Sequence, residues 1–78
     1  MVTPESIQAS IAQGMTCMHV AVTGDGRHFE AVVVSDEFAG KNRVQRHQRV
    51  YQALGDSMRD EMIHALTMKT LTPQEWKK

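Results

Sequence analysis

Residues 18–34 read Met18-His19-Val20-Ala21-Val22-Thr23-Gly24-Asp25-Gly26-Arg27-His28-Phe29-Glu30-Ala31-Val32-Val33-Val34, two strand-like segments hinged on a turn. Met18, Val20 and Val22 alternate with His19, Ala21 and Thr23, the period of a strand with one face toward a core. Gly24-Asp25-Gly26-Arg27 then interrupts, and Asp-Gly supplies the positive φ that a tight hairpin needs. Beyond it Phe29, Ala31 and Val33 alternate with Glu30 and Val32, and Val34 closes a β-branched run. The two segments are expected to pair as an antiparallel hairpin.

Upstream, Thr3-Pro4-Glu5 starts a helix with a hydroxyl cap, Pro at the first helical position and an acid near the positive dipole end. Ile7, Ile11 and Met15 recur every four residues, and Gly14 stops the helix, which spans about 4–14. Downstream, 35–42 carries turn formers and reads as a loop. From Arg43 the period becomes helical, with Val44, His47, Val50, Tyr51 and Leu54 on one face and Gln45, Arg46, Arg49 and Gln52 largely off it. Gly55 ends this helix, and Asp56 or Ser57 can cap a short one holding Met58. Residues 63–70 return to alternation, with Leu66 and Met68 on one face and Thr67 and Lys69 on the other. Thr72-Pro73-Gln74-Glu75 is a capping box that opens a last helical turn with Trp76.

The order α-β-β-α-α-β-α predicts an α+β fold, with helices packed on one face of a three-stranded sheet. The third strand arrives through a helical crossover, so a parallel neighbour is allowed and the sheet can be mixed. Ile7, Ile11, Val20, Val33, Val50, Leu54 and Leu66 form the expected core. Residues 1–78 show no repeat, low-complexity stretch or linker, so a single domain is expected.

Composition narrows the function. The 78 residues are 41% hydrophobic and only 5% aromatic, so Val, Ile, Leu, Ala and six Met must build a thin two-layer fold. A domain this small gains stability from a partner or a metal more readily than from a deep core. Nine Lys and Arg balance nine Asp and Glu. This argues against strong non-specific binding to nucleic acid, which depends on a basic excess. Cys17 is the only cysteine, so no internal disulfide and no cysteine-built metal site can form. The start of the chain lacks signal-peptide features and the apolar runs are too short to span a membrane, so a reducing cytoplasmic setting is expected. No nucleophile elbow, phosphate loop or metalloprotease helix is present, and Asp60 and Glu61 point apart on a helix. The chain reads as a non-enzyme.

Several separated motifs together resemble the BolA family over nearly the whole chain. Gly24-Asp25-Gly26-Arg27-His28-Phe29 and Val32-Val33-Val34-Ser35-Asp36-Glu37-Phe38-Ala39-Gly40 look like its hairpin and loop. The segment from Arg43 to Leu54 is similar to its central helix. Ile63-His64-Ala65-Leu66 and Thr72-Pro73-Gln74-Glu75-Trp76 resemble its C-terminal signature. The short lead-in and the histidine in the Gly-Asp-Gly loop look most like the acid-stress, IbaG-like branch. The resemblance implies a type II KH-like topology. It also implies partnership with a monothiol glutaredoxin, sharing a bridging [2Fe-2S] cluster with glutathione, the chain being a monomer alone or a heterodimer with that partner.

On that resemblance His64 is the cluster ligand and His28 occupies the loop ligand position, an imidazole replacing a thiolate on one iron as in Rieske-type centres. Read from residues alone, His64 shares the parity of Leu66 and Met68 and can equally be a packed histidine, while His28 can be an ordinary solvated turn residue. His47 reads as a half-buried helix histidine, His19 as an exposed strand residue, and Cys17 as a small apolar residue outside the hairpin loop. Lys41, Arg43, Arg46 and Arg49 gather positive charge at the loop and central helix. Partner contact ranks first for them, a solvated face second and DNA third, because no Gly-x-x-Gly clamp exists in the chain. Zero net charge and the missing clamp predict duplex-DNA binding no tighter than about micromolar and nearly indifferent to sequence. A gel-shift titration at physiological salt checks this, and a tight, site-selective complex would contradict it.

Overall fold

A computed structural model describes residues 2–77, apart from the side chain of Ser57, so a cap from Ser57 lies outside the described residues. The elements are α1 (Pro4–Gly14), β1 (His19–Gly24), β2 (Phe29–Val34), a 3₁₀ turn (Asp36–Phe38), α2 (Arg43–Leu54), α3 (Asp56–Met62), β3 (Leu66–Leu71) and α4 (Pro73–Trp76). Three helices begin with reciprocal capping. Thr3 and Ser6 exchange bonds at α1, Asn42 and Gln45 at α2, and Thr72 and Glu75 at α4, each satisfying amides that the first turn leaves open. α3 starts directly from Gly55 at φ 86° with no side-chain cap, so Asp56 enters the helix instead of capping it.

The sheet runs β1-β2-β3, with β1 antiparallel and β3 parallel to the central β2. Register places Val20 opposite Val33, Val22 opposite Ala31, Phe29 opposite Leu66 and Ala31 opposite Met68. These side chains share the face that meets Ile7 and Ile11 of α1, Val50 and Leu54 of α2, and Met62 of α3. The 3.6-residue spacing of the helices and the two-residue spacing of the strands therefore converge on one apolar layer. The fold is α+β with a three-stranded mixed sheet, as its order of elements requires.

Six of the seven expected core residues are buried; Val20 is only partly so, packed against the cluster from the outer strand. Met18 stands before β1 and is exposed, and Val44, in the first turn of α2, is 64% exposed. The helical stripe thus contacts the core only from its second half. The loop at 35–42 holds more structure than its composition suggests. Ser35 is buried, donates to the Thr16 carbonyl and accepts from the Glu37 amide, which folds the chain into the 3₁₀ turn. Phe38 thereby becomes fully buried. A Cβ on Gly14 would strike the backbone of Ala53, so α1 and α2 touch with no side chain between them. Among the described residues no buried side-chain polar atom lacks a partner.

Because Phe38 fills the core from a loop, Phe38→Ala should cost about 3–5 kcal/mol, as for other buried aromatic truncations. Chemical denaturation should show a lower midpoint with little change in slope. A cost near zero would mean that the 3₁₀ turn contributes nothing to the core.

Candidate functional site

Parallel strands start at the same end of a sheet, and this brings His28 and His64 to one edge. The Phe29 amide donates to the Ala65 carbonyl at 2.7 Å, and Phe29 pairs with Leu66. His28 therefore stands beside Ala65 at about one strand spacing, roughly 5 Å, with His64 one residue further back. β3 begins at Leu66 rather than at residue 63, since Ile63 still donates to Arg59 at the end of α3 and Ala65 donates to Met62. His64 lies in the turn between them and is exposed, released from the strand parity that would have turned it inward.

The hairpin turn fixes the other imidazole. Asp25 Oδ1 accepts from the amides of Arg27 and His28, both at 2.9 Å, while Gly26 takes a positive φ of 96°. These amides, His28 first, hold the Asp25 carboxyl below its ordinary pKa. Gly24 is required as well, since a Cβ there would meet the Phe29 ring and the His28 carbonyl. His28 Nε2 lies 2.9 Å from Thr67 Oγ1, a bond across β2 and β3 that orients the ring. Among the described residues no group of three or more His, Cys, Asp and Glu is gathered to hold a metal. The chain thus offers two exposed imidazoles at this edge, and a metal centre there needs donors from elsewhere.

Cys17 does not join them. It precedes β1, whose first residue His19 pairs with Val34, so it lies at the far end of the sheet, about 17 Å of strand away. Burial first, and Glu37 second, push its thiol above the ordinary range, while Arg49 pulls the other way. Such a thiol is the opposite of an activated thiolate.

The four basic residues divide into two pairs. Arg46 donates from Nε to the Lys41 carbonyl at 2.9 Å, and from Nη1 to the Thr70 carbonyl at 3.1 Å and to Glu75 at 2.8 Å; it also lies 5.9 Å over the Phe38 ring. Arg49 donates to Glu37 at 2.9 Å and to the Gly14 carbonyl at 3.1 Å, and Glu37 in turn accepts the Thr16 amide at 2.6 Å. Both arginines therefore tie α2 to neighbouring segments. Lys41 and Arg43 make no ion pair among the described residues, and Arg43 is exposed. His47 is half-buried, and burial, with Arg43 nearby, lowers its pKa. His19 stacks on Trp76 at a centroid distance of 4.8 Å, a contact its strand position alone did not suggest. Glu37 and Glu75, the carboxylates that hold the arginines, also escaped sequence reading; only Glu75 left a signal, its place in the capping box.

Comparison with known proteins agrees with this architecture. The family profile described as BolA-like protein matches residues 2–75. The acid stress protein IbaG of Escherichia coli is 39% identical over 70 residues, covering 90% of this chain and 83% of that protein. The DNA-binding transcriptional regulator BolA of Haemophilus influenzae is 43% identical over 60 residues, covering 77% of this chain and 57% of that one. The structure of a BolA homologue from Coxiella burnetii superposes with a TM-score of 0.85 at 44% identity, covering all of both chains.

The α2–α4 contact carries a pH signature. Arg46, followed by the Thr72 amide, lowers the Glu75 pKa from 4.5 to about 2. A depressed carboxylate stabilises the fold fully above its unfolded value and loses that contribution as pH falls through the folded one. Glu75→Gln should therefore lower the thermal midpoint at neutral pH, and the gap to the parent should close between pH 4.5 and about 2. A gap independent of pH would show that the carboxylate charge is not what Arg46 uses.

Proposed function

This chain belongs to the family of BolA-like proteins, and on that premise we propose that it is a non-catalytic adaptor in iron–sulfur handling. It binds a monothiol glutaredoxin and shares a bridging [2Fe-2S] cluster with it, His64 being the ligand from this chain and His28 its neighbour. The observation that carries this reading is the exposure of His64 in the turn before β3, at the sheet edge where the hairpin presents His28.

The donor set suits a shared cluster rather than a resident one. Iron in such clusters accepts thiolate or imidazole donors, and four protein or small-thiol donors complete a two-iron unit. This chain has one cysteine, at the opposite end of the sheet, so the thiolates must come from the glutaredoxin and from glutathione. The residues here hold and orient. The Asp25 turn fixes the backbone of His28, Thr67 fixes its ring, and the end of α3 holds His64 clear of the core. A ring nitrogen that donates its proton to a neighbour leaves the other nitrogen free to ligate, so the Thr67 contact can select the His28 tautomer. Lys41 and Arg43, which form no ion pair among the described residues, supply charge for partner contact.

A second reading, a DNA-binding regulator, has the name of the Haemophilus relative in its favour. Two of the four arginines and lysines that would serve it are already bonded within the fold. Phosphate contacts weaken steeply with salt, whereas metal ligation responds to chelators and ligand loss, so the two readings separate in one titration series.

The deciding experiment titrates the chain into a cluster-loaded monothiol glutaredoxin and follows visible absorption and circular dichroism. The parent should produce a mixed thiolate–histidine spectrum. His64→Ala should lose it with an unchanged unfolding midpoint, because the side chain is exposed, and His28→Ala should weaken or alter it. A His64→Ala protein that folds normally and gives the parent spectrum removes the ligand assignment.

A further inference from the structure

The chain is neutral overall, yet its cations outside close ion pairs are not spread evenly. Among the described residues Arg46, Arg49 and Arg59 form ion pairs. Arg27, Lys41, Arg43, Lys69 and Lys77 form none, and three of these five line one cleft of about 410 Å³ between α2 and β3. Arg46 and His47 line it too, and Glu75 is its one carboxylate, already bonded to Arg46 and to the Thr72 amide. Four basic residues therefore border a recess of small-ligand size, Lys69 from the outward parity of the edge strand β3, and its one carboxylate is already bonded. Like charges gathered at one recess repel, and an anion entering from solution would relieve that repulsion.

We propose that the α2–β3 cleft is a binding site for a small phosphate-bearing anion, held by Lys41, Arg43 and Lys69. A phosphoryl group fits better than a lone carboxylate, because its several oxygens can meet cations arriving from different elements. A small anion fits better than a nucleic-acid backbone, whose binding draws on a track of contacts, whereas these three residues border one recess. The site is distinct from the histidine edge, since Met68, Lys69 and Thr70 line it from beyond the start of β3 at Leu66.

His47 makes occupancy depend on pH. Arg43 and Arg46 of its own helix, Lys41 of the preceding loop, Lys69 of β3 and Glu75 of α4 line the same cleft. Burial and Arg43 disfavour its charged form in the empty cleft. A bound anion reverses that balance, so His47 takes up a proton as the anion enters and, by linkage, acid strengthens binding.

The test is a set of NMR titrations of the full chain at constant ionic strength maintained with chloride. Inorganic pyrophosphate should give saturable shifts confined to residues 41–47 and 68–70. The Arg43→Gln, Lys69→Gln double variant should weaken it at least tenfold, while Arg27→Gln leaves it unchanged. Sulfate, which keeps its charge through the relevant range, should bind more tightly as pH falls from about 8 to about 5.5, and His47→Gln should abolish that slope. The His47 ring resonances should titrate at higher pH with sulfate present. Shifts of equal size at Arg27 and Lys77, a double variant that binds like the parent, or a pH slope that survives His47→Gln would overturn the proposal. A single-stranded oligonucleotide that moves these amides while pyrophosphate does not saturate them would assign the cleft to nucleic acid instead.

Discussion

The pairing of β3 parallel to β2 is the constraint on which the rest of the molecule depends. A hairpin can return at once, but a parallel neighbour forces the chain back along the whole sheet before it can pair. Residues 35–65 make that journey as the 3₁₀ turn, α2 and α3, and their apolar faces become the roof of the core. The same requirement explains the position of the histidines. Strands that run in one direction also begin at one edge, so the end of the hairpin turn and the end of the crossover must be neighbours.

The crossover is held by charge as well as by apolar contact. Arg49 links α2 through Glu37 to Thr16 and directly to Gly14, while Arg46 links it to Thr70 of β3 and Glu75 of α4. The Arg46 and Arg49 side chains retain only 15% and 24% of their exposure, so these bonds are less screened than ordinary surface pairs. Breaking one partner would leave a partly desolvated charge without its counterpart. A helix that reads as basic is thus two populations: arginines bonded within the fold, and Arg43, which with the nearby Lys41 forms no ion pair among the described residues.

Element types and most boundaries were legible because periodicity and capping are local. Pro4–Gly14 and Arg43–Leu54 follow from Thr3-Pro4, Gly14 and Gly55, and Phe29–Val34 from its alternation. Phe38 was not legible, because a single aromatic among turn residues has no period, and its burial depends on Ser35 bonding to Thr16 nineteen positions away. Val44 misled for the opposite reason. It has the right period, but it stands in the first turn of α2 and is 64% exposed. At the candidate site, residue types pointed to His28 and His64 through family resemblance, while their meeting required the parallel register. The internal bonding of Arg46 and Arg49 required the positions of Glu37 and Glu75, which no spacing along the chain encodes.

The two ends of the sheet are built to different standards. At one end Ser35 joins β2 to Thr16 and Leu71, Glu37 joins Thr16 to Arg49, and Trp76 lies on His19, whose register faces it away from the main core. Val34 is buried there although it does not belong to the main cluster, which shows that this end is covered on both faces. At the other end the chain makes only two tight turns, at Asp25–His28 and Ile63–Ala65, and the side chains of both histidines remain exposed. Exposure there is not looseness, because the Asp25 carboxylate, Gly24 and the Phe29–Ala65 bond fix the backbone of both turns. Side chains held on short turns of a sheet anchored at its far end lose little freedom when they bind, which is the condition that the proposed ligation by His64 and His28 requires.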